Sequence, residues 1–131
     1  LGLFSFAPGH DQTLPVLDNE DAPLAERARA YLDVNCAGCH RPGGGGDRST
    51  MDLRRTTPLP AMNLCNAAPI VDTLGNPRAR LLKPGEPHNS IMLARMQRRD
   101  AYRMPPIGSA LADDRAVQLI TDWIGSMQDC E

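Results

Sequence analysis

The pattern of apolar and polar positions predicts a first helix from Ala22 through Cys39. Apolar side chains recur there at the three- and four-residue spacing of an α-helix. Asp21 is placed to cap the start of this helix, and Pro23 is tolerated in its first turn. Pro42 and the four glycines after it cannot continue a helix, so the helix should end before them.

Two further helices are predicted in the second half of the chain. One runs from Asn89 or Ser90 to about Arg99, and the other runs from Asp113 to about Gln128. The last helix carries one broad apolar stripe, made of Val117, Ile120, Trp123, Ile124 and Met127. No alternating strand pattern is found in the sequence, so the predicted fold class is mostly α.

The stretch from Gly43 to Pro87 has weak periodicity and many prolines, with short helical turns expected near Leu53 and Asn63. A loop of that length is unusual in a compact domain unless it has a function, and wrapping a cofactor is one such function. The chain has only one Trp, two Tyr and two Phe. A large flat cofactor would fill the space that aromatic side chains usually occupy.

Length and charge narrow the possible partners. A chain of 131 residues with a net charge of −2 lacks the strongly basic patch that nucleic acid requires. No apolar run approaches the ~20 residues of a membrane span. Residues 1–21 are interpreted as an extended leader or interdomain linker, and residues 22–131 as one domain. Without an initial Met or a signal-peptide pattern, we expect a mature fragment or a domain of a longer protein.

The motif Cys36-Ala37-Gly38-Cys39-His40 carries the strongest chemical signal. On one helical turn its two thiols and its imidazole would point the same way. This spacing is typical of covalent c-type haem attachment, in which two thiols add to two vinyl groups and the histidine binds the iron. A carbonyl near Pro42 or in the glycine run could accept from the second ring nitrogen. The alternatives are a thioredoxin-like redox pair and half of a zinc site.

A second iron ligand has to come from elsewhere in the chain, and a methionine ligand would raise the reduction potential. Met104 is the best candidate because Pro105 and Pro106 stiffen the backbone beside it. Met62 is the second choice. The remaining candidates have more ordinary interpretations, as helix packing residues, loop residues or surface histidines: Met92, Met96, Met127, Met51, His10 and His88.

With these features the chain resembles the cytochrome c family, and more narrowly the monohaem domains fused to bacterial dehydrogenases that use pyrroloquinoline quinone. The resemblance covers residues 22–131. It is carried by the haem motif and by Leu53-Arg54, Thr57-Pro58-Leu59, Asn63-Leu64-Cys65, Ala79-Arg80-Leu81, Pro84-Gly85, Arg103-Met104-Pro105-Pro106 and Asp122-Trp123-Ile124. The early Pro42 departs from the family, in which the proline that helps to hold the histidine often lies further downstream.

The resemblance implies three main helices with long loops around one covalent haem c, with His40 and Met104 as the axial iron ligands. It implies an exported, periplasmic or extracellular electron carrier rather than an enzyme. Its donor would be a dehydrogenase and its acceptor a cytochrome or an oxidase. The alternatives are a haem-based enzyme or gas sensor whose distal ligand leaves easily, and a thiol–disulfide oxidoreductase without haem.

Two more features follow from an exported location and from local charge. In an oxidising compartment the two remaining cysteines, Cys65 and Cys130, tend to pair, although two free thiols stay an alternative. Four arginines surround the second helix and could pair with haem propionates or guide an acidic partner, but a solvated helix face is the simpler interpretation. They are Arg95, Arg98, Arg99 and Arg103. Arg80 is a weaker propionate candidate.

Overall fold

The computed structural model describes residues 13–46 and 48–131. Helices and turns, without any named strand, make up the regular structure of this part of the chain. The helices are α1 (Leu24–Asn35), α2 (Ile91–Gln97) and α3 (Asp114–Ser126), with short 3₁₀ turns at Leu59–Ala61 and Pro87–Asn89. The prediction of a mostly α fold is confirmed.

Helix α1 is shorter at both ends than predicted. Pro23 precedes the helix with extended backbone angles (φ −53°, ψ 139°), and no side chain caps this end. The prediction that Asp21 caps the helix is therefore wrong. At the other end, the Leu32 carbonyl accepts hydrogen bonds from the amides of both Cys36 (2.9 Å) and Ala37 (3.0 Å). This shared acceptor interrupts the helical ladder, so the Cys36–His40 motif lies in a turn beyond α1 rather than within it.

Helices α2 and α3 lie close to their predicted positions. Asp113 caps α3, because its carboxylate accepts a hydrogen bond from the Ala116 amide at 3.1 Å. Both helices end two residues earlier than predicted, at Gln97 and Ser126. Arg98 already has extended angles (φ −81°, ψ 153°), so the chain leaves α2 there.

The hydrophobic core lies where α1 and α2 pack against α3. Leu32 of α1 and Ile120 of α3 are completely buried in it. The long loop contributes to the core as well, since Met62, Leu64 and Leu82 are also completely buried. The stretch predicted as an irregular loop is therefore a structural part of the core.

Residues 51–66, which we call the strap, connect the end of α1 to this core. The Leu53 amide donates to the His40 carbonyl at 2.9 Å, and the Asp52 amide donates to the Met62 carbonyl at 2.9 Å. An isolated bridge pairs Cys65 with Leu82. Backbone hydrogen bonds thus hold the strap in place although it contains no long regular element.

A disulfide joins Cys65 to Cys130, as predicted, with their Cα atoms 5.8 Å apart. It ties the end of the strap to the chain after α3. Because the bond closes a loop of 65 residues, the chain-entropy relation assigns it about 4 kcal/mol of stabilisation.

The segment before α1 contacts the domain through Leu17 and Asp18. Leu17 packs against the core, and its carbonyl accepts a hydrogen bond from Arg27 Nη1 at 3.1 Å. Asp18 forms an ion pair with Arg115 of α3. The predicted leader over residues 1–21 lies partly outside the described residues. In the portion of the chain that the structure covers, no helix has the length and apolar character needed to cross a membrane.

Candidate haem-binding site

One cavity of about 730 Å³ is lined by all four residues that the sequence singles out: Cys36, Cys39, His40 and Met104. Its volume falls in the range of cofactor and ligand sites. The wall is largely apolar and comes from the strap, α2 and the start of α3, with Leu53, Ile91 and Val117 as examples. The fold therefore brings together the motif after α1 and the Met104 loop, which are far apart in sequence.

The motif cysteines belong to a tight turn that continues from α1. The Cys39 amide donates to the Cys36 carbonyl at 3.1 Å, and the His40 amide donates to the same carbonyl at 2.8 Å. Both thiols are free, and Cys39 is the more exposed of the two. Burial, reinforced by the neighbouring Cys39, raises the pKa of the Cys36 thiol to about 11. Cys36 is therefore a neutral thiol at neutral pH.

His40 is half-buried, and this burial lowers the pKa of its imidazole. The neutral ring is the form that binds a metal. Its Nδ1 atom is buried and has no hydrogen-bond partner among the described residues. The expected acceptor carbonyl near Pro42 or in the glycine run is thus not found within residues 13–46. With Nδ1 enclosed, Nε2 is the ring nitrogen suited to bind a metal.

Two glycines make room for this turn. A Cβ atom at Gly46 would lie 3.0 Å from His40 Nδ1, and one at Gly44 would overlap the Cys39 carbonyl oxygen. Gly46 also donates its amide to that carbonyl at 2.9 Å. From the sequence, the glycines are expected to end the helix, and a carbonyl of this run is a candidate acceptor for the histidine. In the structure, Gly44 and Gly46 lie close to Cys39 and His40, whereas Gly45 between them faces open space. The sequence gives no signal for this alternation.

A polar network braces the strap where it meets His40. The buried Asp52 carboxylate accepts hydrogen bonds from Arg54 (2.9 and 2.6 Å) and from the Thr57 hydroxyl (2.9 Å). These bonds, those from Arg54 above all, hold the pKa of Asp52 well below its usual range. The next amide along the chain, that of Leu53, is the one that binds the His40 carbonyl. The network therefore helps to fix the histidine backbone.

Met104 lies half-buried in the loop between α2 and α3 and lines the cavity. Its amide donates to the Arg95 carbonyl at 3.0 Å, which fastens the loop to α2. The peptide bond between Met104 and Pro105 is cis. This loop brings a thioether to the same cavity as the histidine.

The other candidate ligands differ in whether they line the cavity. Met62, the second choice from sequence, is completely buried in the core and is not among the residues that line the cavity. Met51, Met92 and Met96 line the cavity as well, so Met92 and Met96 combine packing with a place in its wall. His88 is exposed in a 3₁₀ turn away from the cavity, and His10 lies outside the described residues.

The arginine cluster divides into two kinds. Arg95 and Arg99 line the cavity, together with Arg48 from the glycine-rich turn. Arg98 forms an exposed ion pair with Asp100 at 2.9 Å, as expected for a solvated helix face. That simpler interpretation is wrong for Arg99, whose Nε atom is buried without a partner among the described residues. The cavity wall thus contains cationic donors suited to carboxylates.

Arg80 and Tyr31 differ in their position relative to the cavity. Arg80, the weaker propionate candidate, donates to its neighbour's carbonyl at 2.9 Å and is not part of the cavity wall. Tyr31 does line the cavity, and burial raises the pKa of its hydroxyl to about 12. Tyr31 therefore stays protonated and can donate a hydrogen bond, a role that sequence reasoning did not assign.

The donor set fits a covalent haem better than a zinc ion. Across residues 13–46 and 48–131, no group of three or more His, Cys, Asp or Glu side chains is arranged to hold a metal ion. Cys65 and Cys130 are already joined to each other. Two free thiols, one imidazole and a thioether around an apolar cavity are the groups that haem c attachment uses. Comparisons with protein-family models, curated proteins and solved structures found no match.

Proposed function

We propose that this chain is a monohaem c-type cytochrome, a member of the cytochrome c family, and that it transfers electrons. The observation that carries the proposal is the single cavity lined by Cys36, Cys39, His40 and Met104 together. The Cys36–His40 motif and the Met104 loop are each predicted from the sequence as haem-binding segments, and both line the same cavity. That coincidence is what a six-coordinate haem requires.

The roles of the residues follow from their surroundings. Cys36 and Cys39 would each add a sulfur and its hydrogen across one vinyl group, a reaction that forms a thioether and needs no oxidant. His40, through Nε2, and Met104, through its sulfur, would hold the iron. The haem would supply a one-electron ferric–ferrous couple. Arg95 and Tyr31 would donate to its carboxylates.

Methionine ligation and an apolar wall suit electron transfer. Both disfavour the additional positive charge of ferric iron and so raise the reduction potential. An iron with two protein ligands has no open position for a substrate. We therefore propose a relay role, with a dehydrogenase as donor and a cytochrome or an oxidase as acceptor. The Cys65–Cys130 disulfide supports an exported, periplasmic or extracellular location.

The thiol–disulfide alternative is disfavoured by the environment of Cys36. A redox-active thiol of this kind has a lowered pKa and usually lies at the positive N-terminal end of a helix. Cys36 instead lies at the C-terminal end of α1, and its pKa is raised to about 11. The helix dipole there opposes a thiolate.

The proposal is tested by isolating the exported protein and measuring its intact mass and its pigment. We expect a mass increase of one haem and a colour that remains with the protein after acid–acetone extraction. A Cys36→Ala/Cys39→Ala variant should lose both, whereas the control Cys65→Ala/Cys130→Ala should keep both. Correctly exported but colourless wild-type protein would contradict the proposal.

Carbon monoxide distinguishes the carrier from a haem enzyme or sensor. With Met104 firmly on the iron, the reduced protein should bind carbon monoxide slowly. Fast binding by the wild-type protein would favour the sensor. Fast binding confined to the Met104→Ala variant would support the carrier.

A further inference from the structure

We infer that Arg99 is a positioning residue that holds the Met104 loop against the cavity, and this inference rests on the proposed function. The guanidinium of Arg99 donates to two backbone carbonyls that are far apart in sequence. Nη1 donates to Ser109 at 3.2 Å, and Nη2 donates to Met96 near the end of α2. The side chain therefore clamps the two ends of the loop that carries Met104.

The geometry of this clamp favours arginine specifically. A planar guanidinium presents several N–H groups in a fixed fork, so one side chain can bind two acceptors at once. A lysine ammonium in the same place would keep the charge but would lose the fork. Hydrogen bonds from a charged donor are about twice as strong as neutral ones. Arg99 is also only partly exposed, which limits competition from water.

Other contacts keep the same loop closed. The Met104 amide binds the Arg95 carbonyl at 3.0 Å, and the Arg95 side chain donates to the Tyr102 carbonyl at 3.2 Å. Within the loop, the Ser109 hydroxyl donates to the Pro105 carbonyl. Arg99 differs from these in reaching the far end of the loop from beyond the end of α2. Its loss would free Ser109 and the Pro105–Ser109 turn together.

The neighbouring Arg98 provides a matched control. It stands one position away and carries the same charge. It forms only an exposed ion pair with Asp100 and a contact with the Tyr102 ring, 5.9 Å from the ring centroid. Replacement of Arg98 should therefore leave the far end of the loop in place.

The test uses the haem-loaded protein and the weak near-infrared band that arises when sulfur binds ferric iron. The band is followed while the pH is raised. In Arg99→Gln and Arg99→Lys we expect it to disappear at a pH about one unit lower than in the wild type, which corresponds to roughly tenfold weaker retention of Met104. Carbon monoxide should bind the reduced variants about tenfold faster. Arg98→Gln should match the wild type in both measurements.

The lysine variant separates a clamp from a charge effect. If Arg99 acts only through its charge on the haem, Arg99→Lys should behave as the wild type does, and the clamp is then wrong. Trypsin provides a readout that does not depend on haem, because an opened loop exposes the bond after Arg103. Faster cleavage there in Arg99→Lys, but not in Arg98→Lys, supports the clamp even in protein that carries no haem. Equal cleavage in both variants, with an unchanged band, overturns it.

Discussion

The two sides of the cavity are built in different ways. The side that carries Cys36, Cys39 and His40 is a short turn at the end of α1, secured by bonds within about ten residues and by the strap. The Met104 side is a loop between two helices, fastened by arginine side chains and by backbone bonds to α2. The first side can be recognised from a sequence motif. The position of the second side depends on the hydrogen bonds that the Met104 loop makes with α2 and its neighbours.

The two sides should therefore be sensitive to different substitutions. The motif turn has no room for a larger residue at Gly44 or Gly46, because these two glycines lie directly against Cys39 and His40. The Met104 loop has exposed prolines and an exposed Ile107, so we expect replacement of these side chains to have little effect. Loss of the hydrogen bonds that anchor the loop should have a larger effect.

The largest effect should come from the disulfide that anchors the strap. Replacement of both Cys65 and Cys130 by alanine should lower the free energy of unfolding by about 4 kcal/mol, because the unfolded chain regains a large loop. Urea denaturation of the wild type and of the double variant measures this difference. An unchanged midpoint would mean that the strap is held by its hydrogen bonds and core residues alone.

Next, the glycine run should show alternating sensitivity. Gly44→Ala should destabilise the protein by about 3 kcal/mol, because the new Cβ would overlap the Cys39 carbonyl and force the turn to move. Gly45→Ala is the control, since nothing lies within 4 Å of a Cβ at that position. Denaturation curves of the two variants should differ clearly. Equal curves would show that the motif turn is as adaptable as the Met104 loop.

The two methionine candidates should have opposite phenotypes. Met62→Ala removes a completely buried side chain and should cost about 3 kcal/mol of stability, while the sulfur-to-iron band remains. Met104→Ala removes a half-buried side chain, so it should change stability less but abolish the band. Spectra and denaturation of both variants measure the two effects independently. Loss of the band in Met62→Ala alone would reverse the ligand assignment.

The smallest effect should be an acid sensitivity that originates in the strap. The pKa of Asp52 is lowered by Arg54 and Thr57 in the folded state, so its stabilising effect is complete above the ordinary carboxyl pKa of about 3.9. It is lost as the pH falls through that value towards the lowered pKa. Asp52→Asn should therefore melt earlier than the wild type at neutral pH and lose less further stability on acidification.

Melting temperatures between neutral and strongly acidic pH test this expectation. Glu20→Gln, which neutralises an exposed carboxylate outside the network, is the matched control and should follow the wild-type curve. Parallel curves for Asp52→Asn and the wild type would show that the network adds nothing to the strap.

Features that depend on neighbouring residues could be predicted from the sequence. Apolar spacing located α2 and α3 to within two residues of their ends, because helix periodicity is a local property. The spacing of Cys36, Cys39 and His40 indicated the attachment chemistry, and the stiff context of Met104 singled it out among six methionines. The pairing of Cys65 with Cys130 followed from the two cysteines left outside the motif.

Contacts between residues that are distant in sequence could be identified only in the tertiary structure. Periodicity carries no signal for the contact of His40 with Leu53, or for the clamp between Met96 and Ser109. The same is true of Met62, which the chain path places in the core rather than at the cavity. These features arise from close packing between distant segments, where a few tenths of an ångström decide which atoms touch.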